Sequence, residues 1–330
     1  MKIGVLQFFS WPERRVDIAA VYDRALARIA IMDRTGFDAV WLAEHHFSDF
    51  SVCPSVHMMG TLAAARTERL RIGTAVSLAP LYHPLRLAEE VALLDVVSGG
   101  RVNWGAGRGF ARVEFENFGV PPDESASRFR ETVDIVLKAW TEERLSFAGR
   151  HFRFDAVEVL PKPAQRPHPP VWMAATSEEA IAWAAGRGFS ILMDPHSAHR
   201  EIGAKRRFYG ERLAVAGFSE AGRDIPVARL VALAASAAEA AEVARRGAEW
   251  ILNSYLGARH RPVLTADLVP GGADPVARYL DDVILHGTPD SVTEEILRLR
   301  EEIGLDYLLA APLSHESFML LAEQVLPRVV

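Results

Sequence analysis

DAVWLAEHH (residues 38–46) passes from an apolar run into a carboxylate and two imidazoles with no turn residue between them. An apolar run of strand length without polar alternation fits a strand covered on both faces, as parallel strands in α/β proteins are. Similar runs recur at KIGVLQFF (2–9), LRIGTAVSLA (70–79), RVNWGAG (101–107), PVWMAA (170–175), FSILMDP (189–195), VARLVALAA (227–235) and LDYLLAAP (305–312). Segments of helical period separate them, among them 16–35, 85–97, 127–142, 198–216, 237–254 and 291–303. This alternation predicts an α/β protein, a single-domain (β/α)8 TIM barrel over 1–330. An open doubly wound sheet is the competitor, because counting strands does not prove closure. Two segments exceed ordinary connections. Residues 143–169 read as a small hairpin around Gly149, and residues 255–290, rich in Gly and Pro, read as an insertion that forms a lid, a partner surface or plain packing.

Composition narrows the partners. With 330 residues, 49% hydrophobic and 9% aromatic, the chain supports a large core. Its formal net charge of -6 comes without a long basic run, which argues against nucleic acid and anionic membranes. Cys53 is the only cysteine, so neither an intramolecular disulfide nor a thiolate metal cluster can form. No HExxH or second His/Asp cluster accompanies His45 and His46, and no metal is expected. The start MKIGVLQFF has no leader-like pattern and no apolar stretch spans a bilayer, so the expectation is a cytoplasmic protein.

In a closed parallel barrel, polar groups at the carboxyl ends of strands build the active site. Glu44, His45 and His46 stand at such an end, and strand alternation lets only one of the adjacent imidazoles face the mouth. The alternative is that the histidines merely cap the strand. GAGRG (105–109) resembles a dinucleotide-binding turn, but ARVEFENFGVPP runs on into aromatics and a Pro pair rather than a helix, so a nicotinamide site is rejected. Its glycines still allow close approach of a flat ligand, with Arg108 offering a planar cation to a phosphate. WMAATSEE (172–179) ends a strand and opens a helix, with Thr176 and Glu179 at capping-box spacing. That start is either a structural cap or a phosphate-holding helix terminus. His83 precedes Pro84 near a strand end and reads as a loop histidine.

In this order, GFDAVWLAEHHF (36–47), LRIGTAV (70–76), HPLRLAEEVALLDVVSGGR (83–101), GAGRGF (105–110), AATSEEA (174–180) and GTPDSV (287–292) resemble the bacterial luciferase-like family of flavin-dependent monooxygenases, which are (β/α)8 barrels. The resemblance implies that His45 is the catalytic histidine beside the flavin, with Glu44 fixing local geometry or an imidazole. It implies that Arg108, with Gly107 and Gly109, and Ala175, Thr176 and Ser177 hold the FMN phosphate end. Ala75 and Val76 would lie along the isoalloxazine ring, often beside a non-proline cis peptide. Gly107 stands where luciferase itself carries a reactive cysteine, which removes any thiol-based case for light emission. Phe8, Phe110 and Met193 are candidates for lining the substrate pocket.

The implied activity is that of an FMN-dependent two-component monooxygenase. A separate flavin reductase supplies reduced FMN, and O2 reacts with it to give a flavin C4a-peroxide that oxygenates a small organic substrate. The alternatives are an F420-dependent hydride-transfer oxidoreductase of the same superfamily and a non-catalytic flavin-binding partner subunit. Family analogy also implies a homodimer, for which the small residues of MMGTLAAA (58–65) suit close packing.

Overall fold

Backbone pairing decides between the closed and open sheets. The computed structural model describes residues 1–254 and 274–330, so much of the expected insertion at 255–290 lies outside the described residues. In chain order the strands are β1 (Lys2–Gln7), β2 (Ala39–Leu42), β3 (Arg71–Thr74), β4 (Ser77–Leu78), β5 (Val102–Gly107), β6 (Leu145–Ala148), β7 (Arg153–Val157), β8 (Val171–Ala174), β9 (Ser190–Leu192), β10 (Pro226–Leu233), β11 (Leu285–Gly287) and β12 (Tyr307–Pro312). Parallel pairing runs β10-β12-β1-β2-β3-β5-β8-β9. The ring closes just past β9, where Met193 N–H donates to Pro226 O at 3.0 Å and Ala228 N–H donates to Met193 O at 3.0 Å. The molecule is a (β/α)8 barrel, and the open sheet is excluded.

Strand alternation sorts the side chains into two cores. Ile3, Val5, Val40, Ile72, Val102 and Met173 face the helices, whereas Leu6, Trp41, Trp172, Leu192, Leu230 and Leu309 fill the barrel. Trp41 and Trp172 meet edge to face at 5.2 Å inside the barrel. Trp104 faces outward and meets Trp140 at 4.9 Å. A Cβ on Gly73 would fall 2.2 Å from the Trp41 ring, so this strand position gives its volume to the indole.

The structure departs from the sequence reading in three places. The run at 70–79 is two strands, β3 and β4, separated by a cis Ala75–Val76 peptide. β11 adds to the end of β10 and was not expected, since three residues carry too little periodicity to detect. A helix, Arg112–Phe118, follows the glycine turn where a loop was expected; Gly119, with φ 68°, ends it. The hairpin around Gly149 is present as β6 and β7, and His83 packs its ring on Phe152 and Phe154 there, away from the barrel mouth. Among the described residues no helix is long and apolar enough to cross a membrane.

Candidate active site

The two histidines after β2 part company. His46 Nε2 lies 3.0 Å from Glu44 Oε1, and its ring packs edge-on against Phe118 at 4.7 Å. Glu44 is 2% exposed and its other oxygen accepts the Leu78 N–H at 3.3 Å. Burial, then the adjacent Glu44 carboxylate, pushes the Tyr82 phenol up, so it stays a neutral donor toward Glu44. Glu44 therefore orients His46 and ties the end of β2 to β4.

His45 has a different carboxylate. Its Nδ1 lies 3.4 Å from Glu114 Oε1, and the same oxygen accepts the His46 backbone N–H at 3.0 Å. Glu114 is 2% exposed and comes from the unexpected helix Arg112–Phe118. The only sequence signal for it is an acid set among Phe115 and Phe118 at helical spacing. The His45 ring stands edge-on to Phe50 at 5.4 Å and to Phe110 at 6.2 Å, and Phe50 meets Phe8 at 5.1 Å. His196 completes this surroundings: burial, opposed by Asp194 and reinforced by Arg229, Arg278 and His45, pushes it down to about 4. Its Nδ1 is 3.0 Å from the Tyr279 hydroxyl. His196 was not singled out by the sequence.

The glycine turn after β5 joins this aromatic set to the candidate phosphate site. Phe110, at one end of the turn, reaches His45. Arg108, half-buried, is held below the usual guanidinium range by burial, opposed by the charge of Glu179 in the first turn of helix Glu178–Gly186 and reinforced by Arg130. That helix is capped by Ser177, whose Oγ accepts the Ala180 N–H at 3.3 Å, and not by Thr176 as the spacing suggested. Glu179 is ion-paired with Arg130 instead of closing a capping box. Thr176 and Ser177 are exposed, whereas the Ala175 methyl is 2% exposed and turned to the helices; Ala174 takes the mouth-facing place. Met193 is likewise misplaced by the sequence reading. It is 1% exposed in the sheet–helix layer because closing the barrel at its backbone fixes its side chain outward.

Gly107, Val76 and Ala174 converge. A Cβ on Gly107 would sit 2.4 Å from Val76 Cγ2 and 3.5 Å from the Ala174 Cβ, so the end of β5 is bare backbone against a small apolar floor. Gly109 has φ 80°, a left-handed conformation that favours glycine. Behind the floor, His57 Nε2 is 3.0 Å from Ser77 Oγ and its Nδ1 is 2.9 Å from Glu90 Oε2. The His57 hydrogen bond, against partial burial and with Arg86 assisting, lowers the Glu90 carboxyl to about 2. A depressed carboxylate stabilises the fold above its unfolded value near 4.5, and this contribution is lost as pH falls toward 2. Glu90→Gln is therefore expected to lower stability by about 1–3 kcal/mol at pH 7. The gap to the wild type should close between pH 4.5 and 2 in urea unfolding.

Two hollows border this aromatic set; His45 lines only the second and meets the first through its ring contact with Phe50. One of about 620 Å3 is walled by Leu6, Phe8, Phe50, His196, Leu230 and Trp250. The other, about 530 Å3, has His45, His46 and Phe47 along its wall with Tyr22. Arg108, Thr176 and Ser177 line neither of them.

Residues 1–307 match the family model described as luciferase-like monooxygenase. The chain belongs to that family. The oxygenase component of the flavin-dependent trigonelline monooxygenase of Acinetobacter baylyi is 30% identical over 185 residues, 55% of this chain and 51% of that protein. The chain spans about half the length of the first curated relatives it matches. Monooxygenase RslO1 from Streptomyces bottropensis superposes with a TM-score of 0.87 at 28% identity, covering 100% of both chains. The oxygenating constituent of 3,6-diketocamphane monooxygenase from Pseudomonas putida, solved with FMN, shares the fold with a TM-score of 0.82 at 21% identity, over 100% of this chain and 99% of that one.

Proposed function

We propose that this luciferase-like protein is the oxygenase component of a two-component FMN monooxygenase, fed with reduced FMN by a separate flavin reductase. The observation that carries the reading is the pairing of His45 with the buried Glu114 carboxylate inside an aromatic surround, joined by one glycine turn to Arg108. The residues present suit a flavin mononucleotide. Gly107 and Ala174 with Val76 give a small apolar floor, with Ala75 beside it, and Arg108 with Gly109, Thr176 and Ser177 would supply a cationic, hydroxyl-bearing end toward a helix start. Bound reduced FMN would supply the electrons that activate O2.

This chain's residues then do the rest. The Glu114 carboxylate beside Nδ1 favours the tautomer with its N–H on Nδ1, so Nε2 is the atom that takes up and returns the proton exchanged with substrate. Phe8, Phe50 and Phe110 keep water from the reacting atoms. Glu44 and His46 brace the loop that carries His45. Arg108→Ala should weaken reduced FMN binding about tenfold to a hundredfold and leave riboflavin affinity unchanged, because one charge-assisted hydrogen bond to phosphate is lost. Equal losses for both ligands in anaerobic fluorescence titration would place Arg108 outside the phosphate site. Tighter binding of F420 than of FMN, with no O2 uptake, would favour hydride transfer instead; reduced FMN binding without any oxygenated product would favour the silent partner subunit.

A homodimer is part of the same reading. Helices Val56–Ala64 and Pro84–Val97 expose Met58, Leu62, Leu93, Val96 and Val97, an apolar face of the kind that marks association. Within 58–65, Gly60, Ala63 and Ala64 are buried inside the protein, where a Gly60 Cβ would lie 2.9 Å from Leu94 Cδ2, so the exposed Met58, Thr61, Leu62 and Ala65 would carry the face. A monomer mass in light scattering would remove the dimer.

A further inference from the structure

Helix Ile18–Thr35 turns Val21, Arg24, Ala25 and Arg28 to one face, and all four wall the hollow of about 620 Å3. Arg28 is 9% exposed; its Nε reaches His315 Nδ1 at 3.5 Å and its guanidinium lies over the Phe318 ring at 5.3 Å. Neither Arg24 nor Arg28 has a carboxylate partner among the described residues. Burial, then Arg24, draws Arg28 down to about 10, still charged at neutral pH. The acids along the same wall are engaged elsewhere, Glu13 with Arg15 and Glu249 with Arg245. The amide Oε1 of Gln7, which also lines the hollow, is buried without a hydrogen-bond partner among the described residues. Toward the barrel the lining turns apolar, through Leu6, Phe8, Phe50 and Leu230.

Two like charges one turn apart destabilise a helix, and a buried guanidinium without an anion is costly. A ligand anion offsets both. We propose that this hollow is the substrate channel and that the substrate is an apolar molecule carrying a carboxylate, which docks on Arg28 and Arg24 while its apolar part lies on Phe8 and Phe50. Calling the ligand a substrate rests on the monooxygenase reading; the anion site itself does not.

The test is binding of octanoate against octanamide to the flavin-free protein by calorimetry. Octanoate should bind at least tenfold tighter, Arg28→Met should abolish that preference and Arg24→Gln should reduce it, with reduced FMN affinity unchanged in both variants. Equal affinity for acid and amide, or a preference that survives both substitutions, overturns the proposal. Arg24 is exposed, so Arg24→Gln carries the test alone if circular dichroism shows Arg28→Met unfolded: a preference undiminished in that variant then counts against the site. Octanoate preference without FMN binding would sink the flavin reading and leave the anion site; FMN binding without octanoate preference would do the reverse.

Discussion

Replacing His45 by alanine is expected to cut coupled substrate oxygenation about 100-fold or more, the range of a lost general acid–base group. Consumption of O2 should continue, with hydrogen peroxide replacing oxygenated product, because proton exchange at the substrate stops while the proposed flavin contacts at Arg108 and Gly107 are untouched. Removal of the imidazole also strips Glu114, 2% exposed, of a partner, so a loss of stability accompanies the substitution. The comparison with Glu114→Gln separates the two effects. That variant keeps the ring but weakens its hold, so oxygenation should fall by less and the pH profile should move. Full coupling of O2 use to product in His45→Ala would end the proposed role.

Trp41→Ala should cost about 3–5 kcal/mol, the usual penalty for emptying an aromatic site in a core. Trp41 is 0% exposed inside the barrel, donates Nε1–H to the Tyr307 hydroxyl at 3.1 Å and stands edge-on to Trp172. Few side chains can move in to refill that space, because Gly4 and Gly73, its strand neighbours, have no side chains to offer. Tyr307 keeps its bond to Asp38 Oδ2 at 2.6 Å, so the penalty is chiefly one of volume. Trp41→Phe should cost less than Trp41→Ala for that reason. Urea unfolding measures both; a penalty below about 1 kcal/mol for alanine would mean the barrel collapses around the gap.

Much of the site's inventory was legible before any fold was known. EHH at the end of an apolar run marked a strand terminus in a βα unit, and GAGRG marked close backbone approach. The partners of these groups were not legible. Whether Glu44 or Glu114 serves His45 depends on where helix Arg112–Phe118 lies, and that is set by contacts between residues some seventy positions apart. The Thr176 cap failed by one residue, since Thr176 and Ser177 can both cap and only the backbone angle at Ser177 selects between them.

The order of strands, the covered character of the sheet and the residue types at the mouth follow from local period and composition, which act between near neighbours and so are written in the linear chain. Closure at Met193 and Val227, the outward turn of Met193, the parting of His45 from His46 and the lack of a carboxylate partner for Arg24 and Arg28 among the described residues were decided only in three dimensions. Closing the ring fixes which face each side chain takes, and with it which charges meet a partner.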